Sequence, residues 1–209
     1  MRPSEPLNDD IRLLGRTLGD VIADQAGSAT LDLVEAIRRS AVGDPDPARL
    51  IELLDPLPIG DSLHVIRAFS YFAMLANIAE DTDHARRRRA LVQSGAPPPA
   101  GTLLRTVQLI KDAGLDADDV RRAVAASDVV PVLTAHPTEI RRRTIQSIQT
   151  AVASLMEQRD RLDMNHVEEA EWRDELWRQI VTLWQTAMLR LTKLRLRDEV
   201  NDAMRYFEL

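Results

Sequence analysis

Apolar residues recur every three to four positions through most of this chain, the spacing of one buried helical stripe, and breaks in that rhythm mark the helix ends. Ile11, Leu14, Leu18, Val21 and Ile22 form the first stripe, with Asn8, Asp9 and Asp10 offering an N-terminal cap and Gly27 stopping it. A second helix is predicted from about Ser28, with Leu31, Val34 and Ile37 on its apolar face and Arg38 and Arg39 on its solvated side. Pro45, Pro47, Pro56 and Pro58 break the chain around a short apolar segment, Leu50 to Leu54, before a long helix that starts near Asp61 or Ser62. Gly95 to Gly101, with its three consecutive prolines, reads as an extended surface loop. Shorter helices follow over about 102–113 and 117–126, then long ones over about 139–162 and 167–194, and another starts near Asp198.

The helical rhythm is interrupted once by a different pattern. Val129, Val130, Val132 and Leu133, bounded by acidic and polar residues, read as a buried strand over 129–134. A lone apolar strand of about six residues cannot pair its own backbone N–H and C=O groups when buried, and no comparable second strand is visible. Its partners are therefore expected outside these 209 residues. The pattern at Arg205 to Leu209 is helical and carries no Gly, Pro or capping residue, which points to a longer polypeptide cut in mid-helix. The expected fold is mainly α, with one strand.

His136 follows this strand, and Pro137 and Thr138 mark the turn into the next helix, which Thr138 can cap. The imidazole thus lies beside free backbone N–H groups and the positive end of a helix dipole, which attracts anions and disfavours imidazolium. A neutral imidazole next to a bound anion can accept a proton.

Composition narrows the classes of function. A net charge of −6 argues against a general nucleic-acid binder, and the absence of cysteine removes disulfide frameworks and Cys-rich zinc sites. No apolar run approaches the roughly 20 residues that cross a bilayer. The first thirty residues carry acids within an amphipathic pattern, unlike a signal sequence, so a cytoplasmic location with no membrane partner is expected. Arg86 to Arg89 read as a solvated helix end, because no aromatic residues interleave with them. Trp177 and Trp184 share a helical face with Ile180 and Val181, so these and Trp172 are expected to pack in a core, as are Phe69, Tyr71 and Phe72. His64, His84 and His166 have no second histidine at helical spacing and are assigned no role.

The ungapped stretch Val132-Leu-Thr-Ala-His136-Pro-Thr-Glu-Ile-Arg-Arg-Arg-Thr144 closely resembles the histidine signature of phosphoenolpyruvate carboxylase. Weaker likenesses flank it in the family's order: Leu14-Gly15 with Leu18-Gly19, Arg67-Ala-Phe69 leading to Leu75-Ala-Asn77 and Ala79-Glu80, and Lys193-Leu-Arg195 before Asp198-Glu199. The resemblance covers nearly all of the chain, but only the amino-terminal part of such an enzyme. It implies an α/β barrel enveloped by helices, with residues 1–128 an N-terminal helical region and 129–209 carrying the first barrel strand, the His-Pro-Thr turn and long helices. The strand's carboxyl end is where active sites of such barrels lie.

By that resemblance the full-length enzyme is an allosteric, homo-oligomeric lyase, a tetramer, that joins bicarbonate to phosphoenolpyruvate to give oxaloacetate and phosphate. His136 would take the proton of a carboxyphosphate intermediate. Mg2+ or Mn2+ would stabilise the enolate, bound by ligands outside this chain, so the 209 residues alone are expected to be inactive. Arg142 and Arg143 match paired arginines of the family, associated in some plant members with a phosphate-bearing activator and open equally to structural ion pairing. Near a helix N-terminus, Arg141, Arg142 and Arg143 oppose the dipole and call for an anion or acidic partners. Departures occur where many members have Thr-Asp-Glu-Ile-Arg and this chain has Thr186-Ala-Met-Leu-Arg190, and where Lys193-Leu-Arg195 replaces Lys-Pro-Thr. These touch local acidic contacts and regulation more than the chemistry of His136. The main alternative is a non-enzymatic helical regulatory or interaction module. A histidine phosphotransfer domain is disfavoured, because its histidine projects from mid-helix and His136 precedes a proline.

Overall fold

Gly27, at φ 89°, takes a backbone conformation that L side chains rarely adopt, and so turns the chain directly from α1 (Glu5–Ala26) into α2 (Ser28–Ala41). The computed structural model describes residues 5–42, 47–128, 130, 143–187, 197 and 204. Among these, every regular element is a helix, as the mainly α reading expects. After α2 come α3 (Pro47–Leu54), α4 (Ile59–Gln93), α5 (Leu103–Asp112), α6 (Ala117–Ala125), α7 (Arg143–Arg161) and α8 (His166–Gln185). The expected strand over 129–134 lies outside the described residues apart from Val130, which is exposed. The helix expected near Asp198 and the end of the one expected to reach 194 also lie outside them.

The chain forms two units, Met1–Asp83 with Glu139–Leu209, and His84–Thr138. In the first, the stripes meet around α1. Leu14, Leu18, Val21 and Ile22 of α1 join Val34 and Ile37 of α2, and Ile148 and Val152 of α7 join Leu176, Ile180 and Leu183 of α8 in one core. Fully burying such a side chain contributes about 1.5–3 kcal/mol. Residues on α4 from Val65 to Ala79 complete it, and Gly15 admits the Phe72 ring so closely that an added Cβ would stand 3.2 Å from it.

Two expectations are corrected here. Asn8, Asp9 and Asp10 do not cap α1, because the helix is already formed at Glu5. Asp10 instead falls on the buried stripe, three residues after Leu7 and four before Leu14, and is 1% exposed. It is ion-paired with Arg159 of α7, whose guanidinium lies 5.7 Å from the ring centroid of Trp172 on α8. The Trp172 indole N–H in turn donates to the carbonyl of Leu155 at 2.8 Å. The second correction concerns Trp177, which is 37% exposed while Trp172 and Trp184 are buried. Burial on α8 steps by four through Trp172, Leu176 and Ile180, and Trp177 falls one position off that line.

The N-terminus of α8 is secured by a capping box: the Asn165 side chain accepts from the Val167 and Glu168 amides, and Glu168 accepts from the Asn165 amide at 2.9 Å. At its other end, Tyr71 of α4 donates its hydroxyl to the carbonyl of Thr186 at 2.6 Å. Burial pushes the Tyr71 hydroxyl above its ordinary pKa, with the Arg67 charge opposing.

In the second unit, α5 and α6 form a short helical pair. The Thr102 hydroxyl caps α5, and Leu115 donates to the carbonyl of Ile110 past Gly114, closing its other end as a Schellman turn. Asp116 and Asp119 make the capping box of α6. No residue of either helix is buried. Arg86 to Arg89 depart from expectation: they lie within α4, which continues to Gln93, and Arg86, Arg87 and Arg89 are partly buried and engaged with neighbours.

Three outcomes follow for stability. Arg159→Met keeps an aliphatic stem near Trp172 and removes the charge that faces Asp10, so urea unfolding should show a loss on the order of 3 kcal/mol; an unchanged midpoint would mean the pair contributes nothing net. Gly19→Ala places its Cβ at an ordinary 3.5 Å from Leu31. It should raise the thermal midpoint through a helix-propensity gain of up to about 1 kcal/mol, and a fall would show that α1 cannot accept the methyl group. For Tyr71, a raised folded-state pKa means that stability is complete below the unfolded value near 10 and declines as pH rises beyond it. The stability advantage of the wild type over Tyr71→Phe should therefore shrink above about pH 10; a constant difference from pH 8 to 11 would contradict burial of the neutral phenol.

Candidate functional site

His136 and Arg142, together with Arg141 and the turn expected at Pro137 and Thr138, lie outside the described residues. Arg143 is described, and it is the first residue of α7, exposed and engaged with a neighbour. The first turn of α7 holds no acidic residue, so compensation for a cation at this N-terminus does not come from that turn. Two residues on, Ile145 is 1% exposed, and Ile148, Val152 and Met156 continue the same face. Packing of this face holds the backbone of Arg143 on a fixed helix. Among the described residues no group of three or more His, Cys, Asp or Glu side chains could hold a metal ion. These residues therefore do not fit a divalent-cation site.

The structure draws together a group to which the sequence pattern assigned no function. His64, Arg67 and Tyr71 occupy one face of α4, at spacings of three and four, and all three meet Trp184 near the end of α8. The imidazole of His64 stacks on the indole with centroids 5.9 Å apart, and the Arg67 guanidinium lies 5.5 Å from the same ring. Arg67 also donates to the Trp184 carbonyl at 3.3 Å. Helical periodicity could have placed these three side chains on one face, but not named the indole they grip, which is more than a hundred residues away in sequence.

A second feature is an open groove of about 640 Å³ along α1, between α2 and α4. Leu31, Val34, Ala68, Phe69 and Phe72 line it with Gly15 and Gly19, and Glu35 and Arg38 stand at its edge. The Arg38 guanidinium bonds Glu35 at 2.8 Å and holds its carboxyl below the usual range. The glycines of the sequence's Leu-Gly pairs thus admit neighbouring side chains close to the α1 backbone.

Comparison with known proteins supplies what the geometry alone does not. The chain is 46% identical over 210 aligned residues to a phosphoenolpyruvate carboxylase of Azoarcus sp. (strain BH72), an alignment covering 97% of this chain and 23% of that protein. Proteins of the same name from Rhodopseudomonas palustris (strain BisB5) and Ralstonia nicotianae are 43% and 45% identical, over 97% and 98% of this chain and 22% and 21% of theirs. The chain thus spans about a fifth of the length of these relatives. A family profile described as phosphoenolpyruvate carboxylase matches residues 7–209, so that the helices described above and the sequence His136-Pro-Thr138 fall within one match, and the chain belongs to the phosphoenolpyruvate carboxylase family.

Proposed function

We propose that this chain serves the carboxylation of phosphoenolpyruvate by bicarbonate, giving oxaloacetate and phosphate, and that His136 is its catalytic residue. The observation that carries this reading is the unbroken run from Val132 to Thr144 within a family match over residues 7–209. A bicarbonate oxygen attacks phosphorus, the bond from phosphorus to the enol oxygen breaks, and carboxyphosphate and the enolate of pyruvate result. His136 then accepts the carboxyphosphate proton, the bond between the carboxyl carbon and the bridging oxygen breaks, and carbon dioxide and phosphate are released. The enolate carbon attacks carbon dioxide and forms oxaloacetate.

Residues 129–209 contribute the first barrel strand and His136 in this reading, and residues 1–128 the helical envelope. Arg142 and Arg143, which match paired arginines of the family, bind an anion in this reading. Mg2+ or Mn2+ would supply charge stabilisation for the enolate oxygen, held by residues other than those described, and no step here depends on it. The remaining phosphate contacts belong to the four-fifths of the relatives' length that this chain does not span, so the 209 residues alone do not turn over. By its family the full-length protein would be a cytoplasmic homo-tetramer under allosteric control. No helix among the described residues is long and apolar enough to cross a membrane.

The test is His136→Asn in the complete carboxylase. Asparagine keeps the size and some hydrogen bonding but cannot accept a proton, and loss of a general base costs about 10²–10⁴ in rate. The variant should still release phosphate from phosphoenolpyruvate in a bicarbonate-dependent way and form pyruvate, with little oxaloacetate. Oxaloacetate at the normal rate would remove His136 from the mechanism, and loss of phosphate release would move its role to the first step.

A further inference from the structure

An α-helix leaves its last four carbonyls without intrahelical partners, and three of those at the end of α8 receive bonds from Thr186 and α4. Thr186 satisfies two of them, its amide donating to Leu183 at 3.1 Å and its hydroxyl to Thr182 at 2.6 Å. The Trp184 carbonyl receives Arg67. One residue past the helix, the carbonyl of Thr186 receives Tyr71. On another side, the Gln185 side-chain Nε2 donates to Gln25 Oε1 near the end of α1 at 2.7 Å. The helix has no glycine at its end, Thr186 is extended at φ −83° and ψ 126°, and the last turn carries no basic residue of its own. The positive charge that complements the dipole therefore comes from α4.

We propose that Arg67 and Tyr71 are positioning residues that cap α8 from outside and fix the direction in which the chain leaves Thr186. Trp184 is the keyed element: buried to 3% exposure, it is gripped by His64, Arg67 and Tyr71, so the two capping bonds form only when the indole is seated. Arg67 acts twice, through the ring face and through the carbonyl of the same residue, which a point-like ammonium cannot reproduce with one geometry. The cap acts on the last turn of α8 and on Thr186. This assignment does not depend on the carboxylase reading, since its test reads the backbone and not turnover.

The experiment is amide hydrogen exchange of the 209-residue chain under native conditions, comparing Arg67→Gln, Arg67→Lys and Tyr71→Phe with the exposed-site control Arg49→Gln. Arg67→Gln and Tyr71→Phe should each speed exchange in the last turn of α8 and at Thr186 by at least about tenfold. Amides from Trp172 to Ile180 should keep their rates, and Arg67→Lys should recover only part of the protection. A uniform rise along the whole of α8 would reduce these residues to core packing and overturn the proposal, as would unchanged exchange at the helix end. Tyr71→Phe retains the ring and removes one hydroxyl, so it keeps the test open should Arg67→Gln fail to fold.

Discussion

A carboxylate can stand in the middle of an apolar stripe only if a partner follows it out of water, and Asp10 meets that condition through Arg159. The pair is more than an isolated ion bridge. Arg159 lies against the Trp172 ring, and the Trp172 nitrogen is bonded to the backbone of Leu155 on the helix that bears Arg159. Helix α1 and the consecutive helices α7 and α8, more than a hundred residues further along the chain, are thereby held in one register at one point. The apolar stripes contribute most of the free energy, but they tolerate sliding, because one aliphatic contact resembles the next. A buried charge tolerates far less, since displacement by one helical turn would leave it without its partner. The packing of α4 on α1 and the trans cap on α8 both presuppose that register.

Much of this was legible in the sequence. Gly27, the start of α2 and the stripe Leu14, Leu18 and Val21 follow from periodicity and glycine chemistry, and the structure has them where these principles put them. Asp10 was misread because its residue type is favoured at helix starts, and nothing local distinguishes a capping aspartate from one awaiting an arginine 149 positions later. Trp177 was misplaced by a related limit: a seven-residue spacing sets two side chains on nearly the same face, while the actual burial line on α8 steps by four. The proposed catalytic residue, His136, rests on motif and not on physics alone. A histidine at a strand-to-helix junction suggests anion chemistry, but only the run through Thr144 narrows that to one family.

The two ends of α8 are fixed by opposite means. Its N-terminus is closed by residues adjacent in sequence, Asn165 and Glu168, so that end can form as soon as the helix does. Its C-terminus has to wait for α4 to arrive, because Arg67 and Tyr71 lie more than a hundred residues away. A chain exit secured in this way reports on tertiary assembly in a manner that a local glycine cap would not. The end of α8 is thus linked to how α4 is packed, and substitutions in the Arg67-Ala-Phe69 motif are felt at Trp184 and Thr186.

The pair α5 and α6 shows what helices look like when local chemistry is complete and burial is absent. Caps, a Schellman turn and the exposed pairs Arg121 with Asp118 and Arg122 with Asp119 are all present, yet such surface pairs contribute little. Helices of 10 and 9 residues are marginal without an apolar face packed against something. Leu103, Leu104 and Val124, at 80%, 59% and 69% exposure, leave that face uncovered. Local opening of this pair is therefore cheap compared with opening of the α1, α7 and α8 core, and among the described residues a protease added to the folded chain would cut between Ser94 and Ala126 long before it could cut near Asp10.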